Sequence, residues 1–301
     1  MELSDKKFAV LIDADNISHR KIKDILDEIA NYGTPTIKRI YGDFTDPKFA
    51  AWKSVLLENS ITPIQQYAYT TGKNATDSAL IIDAMDILHK ESVNGFCIVS
   101  SDSDYTRLAS RIRESGREVL GFGEKKTPKP FIKSCDKFIY VEILGQPAPA
   151  PAPVSAPAQT AAAVPAAKAA TPKKTAKKHQ GRNAPETDMP EAPPADPAAA
   201  EKKVAPAPDT AQPQPIIRPI DDDFKTLLAN TIEDAADDSG WAFLGIVGGV
   251  LTKKMPDFDP RNYGYKKLSL LVKSLSKIVE IEERPSENKE LKLVYVRNRI
   301  R

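Results

Sequence analysis

Residues 8–15 read FAVLIDAD, an unbroken apolar run that ends in carboxylates. A run of this kind is typical of a strand that is buried on both faces of a parallel sheet. Residues 96–100, FCIVS, form a second such run. Because helical patterns alternate with strand patterns along this part of the chain, the sequence predicts a three-layer α/β domain with a doubly wound parallel sheet. Further strands are predicted at residues 36–41, 61–66, 118–121 and 138–141, and helices at residues 20–31, 47–58, 76–90 and 104–114.

Composition limits the class of protein. The chain has 301 residues, with 43 Lys and Arg against 41 Asp and Glu, and this balance argues against a globally basic nucleic-acid binder. Its two cysteines are too few for a disulfide framework. The absence of a membrane-length apolar run and of a secretory leader favours a soluble cytoplasmic protein without a membrane partner.

The prolines divide the chain. Residues 146–219 hold 17 of the 25 prolines, together with 22 alanines and no aromatic residue. Such a segment buries too little apolar surface to offset the entropy of ordering, so we predict a disordered Pro/Ala linker. Its nine basic and six acidic residues fit either a plain solvated tether or an arm that attracts phosphate. We therefore predict one domain at residues 1–145 and a second at residues 220–301.

Acidic side chains follow both buried strands of the first domain. Asp13 and Asp15 close the first strand, and Asp102 and Asp104 follow the second. Ligands of parallel α/β sheets bind beyond the carboxyl ends of the strands, so these acids are expected at the binding edge. Asp77 opens a predicted helix after a glycine-containing loop. Taken singly, Asp15, Asp77 and Asp104 also fit a simpler role at a helix start.

Several carboxylates at one point repel one another unless a cation lies among them. Oxygen ligands suit Mg²⁺ or Mn²⁺, which activate water against a phosphodiester. Asp83, further along the helix that Asp77 opens, is a weaker candidate. The three histidines lack the spacing of zinc ligands. No loop of the G-x-x-x-x-G-K-[ST] or G-x-G-x-x-G type is present, which argues against a Walker or Rossmann nucleotide site.

Five segments, in order, resemble the NYN domain of the LabA type, a branch of the PIN-like, metal-dependent ribonucleases. They are LIDADN (11–16), YGD (41–43), GKNATDSALIIDAMD (72–86), VSSDSDYTRLASRIRESGREVLGFG (99–123) and SCDKFIYVE (134–142). The resemblance implies a parallel sheet with a carboxylate pocket that binds Mg²⁺ or Mn²⁺. Ser101 stands where the family more often has glycine. The residues that match the family's acidic catalytic and metal-binding positions are Asp13, Asp77, Asp102 and Asp104, with Asn16 beside them.

The second domain has the pattern of a winged helix-turn-helix. Helices are predicted at residues 221–236, 241–254 and 268–276, and two strands follow at residues 278–281 and 291–296. The stretch WAFLGIVGGVLTKKMPDFDPRNYGYKKLSLLVKSL resembles an OST-HTH (LOTUS) domain, and FDPRNYGYKKLSLLV is its most recognisable part. This resemblance implies binding of RNA, structured or G-rich, or docking of a protein partner.

Basic and aromatic side chains mark candidate RNA contacts. Near the carboxylates, Tyr105 is a candidate for stacking on a base. Contact with phosphates or an ordinary solvated position fits each of the basic residues Lys73, Arg107, Lys125, Lys126 and Lys129. In the second domain, bases interleave with aromatics, although a solvated basic face with buried tyrosines fits the same pattern. The candidates there are Lys253, Lys254, Arg261, Tyr263, Tyr265, Lys266 and Lys267.

The leading hypothesis is a metal-dependent ribonuclease that cleaves single-stranded RNA captured by the second domain. The alternative is a non-catalytic RNA-binding or regulatory adaptor that keeps the same fold. A phosphatase-like hydrolase is a third interpretation, because residues 13–15 offer a D-x-D pattern. Ile17 stands where that chemistry would want a threonine, which disfavours it.

Overall fold

Six parallel strands form the N-terminal sheet in the order β3-β2-β1-β4-β5-β6. The computed structural model describes residues 6–67, 75–145, 217–285 and 292–299. The predicted parallel α/β fold class is confirmed. The strands are β1 (Lys7–Asp13), β2 (Thr34–Gly42), β3 (Thr62–Gln65), β4 (Gly95–Val99), β5 (Glu118–Gly123) and β6 (Lys137–Tyr140).

Both faces of the sheet are covered, as the unbroken apolar strands predict. In β1, Phe8, Val10 and Ile12 pack into the core on one face, while Ala9 and Leu11 pack into the core on the other. The first core includes α1 (Ile22–Ile29) and α2 (Trp52–Glu58); the second includes α3 (Ala75–Lys90), α4 (Thr106–Glu114) and α5 (Lys129–Ser134).

Helix α5 was not predicted from the sequence. It has only six residues, KPFIKS, which is too short to show a helical period. Pro128 and the proline within the first turn start it, because a fixed proline φ suits the first helical positions. Helices α1, α2 and α4 were predicted, but each is shorter than expected. A 3₁₀ turn replaces the start of each predicted helix, at His19–Lys21, Pro47–Phe49 and Ser103–Tyr105.

The C-terminal domain contains three α-helices and a three-stranded antiparallel sheet within its described residues. One prediction was wrong: Ala242 and Phe243 form a strand rather than the start of a helix, and Ala242 pairs with Val296. Ala242 is fully buried against this partner. The elements are α6 (Asp222–Asp234), β7 (Ala242–Phe243), α7 (Leu244–Lys254), α8 (Leu268–Ser274), β8 (Val279–Pro285) and β9 (Lys292–Asn298).

The C-terminal domain covers the sheet edge at β6. The backbone N–H of Phe138 donates to the carbonyl of Pro256 at 2.8 Å. The hydroxyl of Tyr140 donates to Oδ2 of Asp257, also at 2.8 Å. A bare edge strand is a template for unwanted pairing, and this contact closes it. The two domains therefore share an interface that their sequence patterns did not predict.

Part of the sequence-based prediction lies outside the described residues. This part comprises Lys73 with its loop at residues 68–74, the wing turn at residues 286–291, and the Pro/Ala segment as far as residue 216. Residues 217–219 are described, and the backbone N–H of Arg218 donates to the carbonyl of Asn262 at 2.8 Å. This contact places Arg218 with the C-terminal domain.

Candidate active site

The candidate site lies where the strand order reverses, at the carboxyl ends of β1 and β4. Asp13 is the last residue of β1, and Asp102 follows β4. Asp77 lies in the first turn of α3, while Asp104 lies in the 3₁₀ turn that precedes α4. Because β1 and β4 are neighbours in the parallel sheet, their ends leave the crevice where ligands of doubly wound sheets bind.

Three of the four predicted acids converge. Asp77, Asp102 and Asp104 each offer one carboxylate oxygen, and these oxygens lie within 4.8 Å of one another. Within the described residues, neither Asp77 nor Asp102 forms an ion pair with a basic side chain. The donors are all carboxylate oxygens, which hard divalent cations prefer. The residues present therefore fit Mg²⁺ or Mn²⁺.

Asp13 lies behind this group and is fully buried. Its Oδ2 accepts hydrogen bonds from Asn16 Nδ2 at 2.7 Å and from Ser100 Oγ at 2.8 Å, and its Oδ1 accepts from the backbone N–H of Asp15 at 3.0 Å. Burial raises the pKa of Asp13 in spite of these bonds, and the nearby charge of Asp77 acts in the same direction. Asn16 thus lies beside Asp13, as the motif predicts.

Tyr105 and Ser100 connect Asp13 to the three converging acids. The Tyr105 hydroxyl donates to Asp77 Oδ1 at 2.7 Å and lies 3.4 Å from Asp13 Oδ2. Ser100 Oγ, besides donating to Asp13, accepts from the backbone N–H of Asp102 at 3.0 Å. The prediction that Tyr105 stacks on a base was wrong, because its ring is fully buried. Sequence reasoning missed both contacts, since a serine and a tyrosine flanking an acidic motif give no periodic signal.

The electrostatics of Asp77 agree with a crowded carboxylate group. Burial raises its pKa, the hydrogen bond from Tyr105 lowers it, and the charges of Asp102 and Asp104 raise it further. The net shift is upward. Like charges that share a site destabilise the ionised form of each, and a bound cation would reverse that effect.

Two further acids are neutralised outside the group. Asp15 forms an ion pair with Lys48 at 2.8 Å, which agrees with its being a turn residue rather than a ligand. Asp83, the weaker candidate, is bound by the guanidinium of Arg39 and the hydroxyl of Tyr41. Neither carboxylate belongs to the converging three.

Ser101 joins the acidic loop to the end of β5. Its Oγ accepts from the backbone N–H of Glu124 at 2.8 Å, and its own φ is not positive, so this position does not require glycine. Gly123 is required, because a Cβ there would lie 2.6 Å from the carbonyl oxygen of Ser100 and 2.7 Å from Thr127 Oγ1. The close approach holds the loops after β4 and β5 together.

The candidate RNA contacts divide into exposed and internal residues. Tyr263 is buried, and its ring centroid lies 4.7 Å from that of Phe224. Tyr263 is therefore internal, and the guanidinium of Arg261 is already engaged by Asp259 and Glu28. Lys254 pairs with Asp234 at 2.6 Å. Lys125 and Tyr265 are half-buried, and the exposed candidates are Arg107, Lys126, Lys129, Lys253, Lys254, Lys266 and Lys267.

The fold and the site define a class: a parallel α/β domain with an acidic sheet edge, joined to a winged-helix domain. Family models identify the two parts. Residues 7–143 match the NYN domain, and residues 215–291 match the OST-HTH/LOTUS domain. The chain is thus an NYN-domain protein with a C-terminal OST-HTH/LOTUS domain, which combines a fold of the PIN-like nuclease superfamily with a domain type associated with RNA binding.

Three solved structures are among those similar to parts of the chain. An uncharacterized protein from Nitrosomonas europaea is 36% identical over 35% of this chain and 90% of its own, with a TM-score of 0.24. A protein of unknown function from Vibrio parahaemolyticus is 20% identical over 46% of this chain and 96% of its own, with a TM-score of 0.39. Residues 175–257 of a Chromobacterium violaceum protein give 37% identity over 25% of this chain and 78% of that structure, with a TM-score of 0.22. A comparison with curated proteins gives no match.

Within the described part of the chain, no helix combines the length and the apolar character that crossing a bilayer requires.

Proposed function

We propose that this protein is a Mg²⁺- or Mn²⁺-dependent ribonuclease that cleaves single-stranded RNA. The single observation that carries the proposal is the convergence of Asp77, Asp102 and Asp104 within 4.8 Å at the sheet edge. Carboxylates brought so close without a basic partner for Asp77 or Asp102 in the described chain are unfavourable unless a cation joins them. The family assignment supports the same chemistry.

Some residues of the site are proposed to bind the cation, and others position them. Asp77, Asp102 and Asp104 would hold the cation, which when bound neutralises phosphate charge and lowers the pKa of water. Tyr105 fixes the carboxylate of Asp77 through a hydrogen bond of 2.7 Å. Asp13, which was predicted from the sequence as a metal ligand, accepts a hydrogen bond from the hydroxyl of Ser100. The same hydroxyl oxygen accepts from the backbone N–H of Asp102 and so positions that residue.

The C-terminal domain is proposed to capture the RNA, single-stranded or with structured, G-rich segments. Its exposed basic residues Lys253, Lys266 and Lys267 can contact phosphates without reading sequence. Arg107 is exposed at the start of α4, three residues after Asp104, and is proposed to contact the phosphate near the cleavage point.

The experiment is a cleavage assay on the full chain with an end-labelled single-stranded RNA, in Mg²⁺, Mn²⁺ or EDTA. D77N and D102N are expected to lower the cleavage rate by at least about 100-fold, since even the partners of metal ligands contribute 10- to 100-fold. D86N is the matched control, because Asp86 lies on the same helix but is exposed and paired with Lys90.

Cleavage that persists in EDTA, or that survives both D77N and D102N, would contradict the proposal. RNA binding without cleavage in either metal would instead identify the chain as a non-catalytic RNA-binding adaptor. Gel shifts run beside the cleavage assay separate these outcomes.

A further inference from the structure

A cleft opens where the two domains meet, beside the sheet edge that carries the acids. Its volume is ≈ 530 Å³, and its walls are α5 with the end of β6 on one side and α6 with the end of α7 on the other. The ion pair between Arg218 and Asp257, at 2.9 Å, lies in its wall. Arg218 also donates to the hydroxyl of Tyr140 at 2.8 Å. The domain contact therefore forms the cleft.

The cleft is basic although the whole chain is almost neutral. Its lining includes five basic side chains, Lys125, Lys129, Lys133, Arg218 and Lys254, against three aspartates. Two of these aspartates are already engaged, Asp257 by Arg218 and Asp221 by the backbone N–H of Phe224 at the start of α6. A concave surface with an excess of one charge concentrates the field and attracts ions of the opposite sign.

Two exposed lysines on α5 carry charges that are not paired within the described residues. Lys129 and Lys133 are exposed, and neither forms an ion pair within the part of the chain that the structure describes. They lie four residues apart on one helix, so they project from the same face. Lys125 is partly buried, and burial lowers its pKa, although the charge of Glu142 acts in the opposite direction. Lys129 and Lys133 thus place on the cleft wall positive charge that forms no ion pair within the described residues.

The cleft lies at the same edge of the sheet as the candidate active site. All six strands run parallel, so Lys125 after β5 and Tyr140 at the end of β6 lie at the same sheet edge as Asp102 after β4. Two strand spacings, about 10 Å, separate the ends of β4 and β6. The loop that carries Lys125 is bonded to the acidic loop through Glu124 and Ser101. A chain of phosphates lying in the cleft would reach the acids within a short distance.

We infer that the cleft between the domains binds the phosphate backbone of the RNA and leads it to the acidic site. Ammonium groups bind phosphates as point charges, so the contact is strong but carries little sequence information. The inference rests on the proposed function of this protein as an RNA-directed nuclease. The test of the inference does not depend on that function, because RNA binding can be measured in a variant and a buffer that do not support cleavage.

The experiment measures binding of a fluorescein-labelled single-stranded RNA to the full-length D102N chain in EDTA, by anisotropy at several salt concentrations. K129A/K133A is expected to raise the Kd about tenfold and to reduce the slope of log K against log salt by about 1.4, as loss of two phosphate contacts requires. The matched control is K23A/K53A, which removes two exposed lysines from α1 and α2 on the opposite face. The control is expected to bind as the parent does.

Equal Kd values and slopes for the two double variants would overturn the inference. A preference of the cleft for polyglutamate over RNA of the same charge number would also overturn it, by assigning the cleft to an acidic protein. A chain that binds RNA through the cleft but never cleaves it would refute the proposed function and leave the inference standing.

Discussion

Arg261 of the C-terminal domain donates from both terminal nitrogens to the two carboxylate oxygens of Glu28 in α1, at 2.9 and 3.0 Å. The same guanidinium bonds to Asp259 at 2.7 Å, so one arginine serves two carboxylates. The Arg261 side chain is 33% exposed and that of Glu28 only 11%. A bidentate pair with this degree of burial is directional and weakly screened. This pair therefore helps to fix one domain against the other.

We expect E28Q to weaken the domain interface. The change removes the interdomain charge but leaves Arg261 paired with Asp259. Exposed pairs contribute up to about 1 kcal/mol, whereas breaking a buried pair costs about 3–5 kcal/mol. A loss of about 1–2 kcal/mol in the free energy of unfolding is expected for this intermediate case.

The measurement uses the two tryptophans, Trp52 in the first domain and Trp241 in the second. In W52F and W241F backgrounds, the remaining tryptophan reports the unfolding of its own domain in urea. The parent midpoints should coincide, E28Q should separate them, and D27N, at an exposed neighbour on α1, should change stability by less than about 0.5 kcal/mol. Separate midpoints already in the parent would show that the docking contact is weak.

We expect D77N to stabilise the metal-free protein at neutral pH. Burial raises the pKa of Asp77 in the folded state, so its ionised form is disfavoured there relative to the unfolded chain. Replacing it with the neutral amide also removes the repulsion from Asp102 and Asp104. A rise of about 1–2 °C in Tm in EDTA is expected, which corresponds to a few tenths of a kcal/mol for a partly exposed group.

Addition of Mg²⁺ or Mn²⁺ should reverse this order. A ligand that binds only the folded state stabilises the parent by RT ln(1 + [L]/Kd), and D77N replaces one of the three converging carboxylates with a neutral amide. Thermal melts with and without the cation test this reversal. If both chains gained the same increase in Tm, the cation would be binding elsewhere.

The advantage of D77N should shrink as the pH falls. A group with a raised folded pKa contributes stability below its unfolded pKa and loses it as the pH rises through the folded value. Protonated Asp77 is therefore no longer penalised in acid, where parent and variant should converge in Tm. Melts in EDTA across the acidic range check the sign, and an advantage that grew towards acid pH would contradict it.

We expect Y105F to weaken cation binding about tenfold, because the hydroxyl positions the carboxylate of Asp77. Y41F is a matched control, since Tyr41 is also fully buried and also donates to an aspartate, Asp83, outside the site. Both changes should lower the free energy of unfolding by about 1 kcal/mol. A titration of Mn²⁺ should distinguish them, and equal affinities would limit Tyr105 to a structural role.

The sequence predicted the strands of the first domain well because their residues are apolar on both faces. The strand segments FAVLID and FCIV have buried side chains on both faces of the sheet, so an unbroken apolar run is enough to identify them. Helix α5 and strand β7 were missed because both are short. Ala242 adopts strand geometry only because Val296, more than fifty residues away, lies opposite it.

The acidic positions were predicted from motifs, and all four acids were expected to converge at one point, whereas the structure brings three of them together. The converging group contains Asp77, Asp102 and Asp104, while Asp13 makes separate bonds with Asn16 and Ser100. Spacing along the chain cannot distinguish a carboxylate at a surface from one behind it. The depth of a side chain depends on which strand and helix pack around it.

The amino-acid sequence by itself determined the local patterns: buried strands, acids at their carboxyl ends, and a separate winged-helix segment. These patterns depend on contacts between near neighbours and on the period of each element. Only the tertiary structure decided that Arg261 meets Glu28 and that Lys129 faces a cleft. Such relationships join residues that are distant along the chain, and packing of complete surfaces, rather than any local preference, selects them.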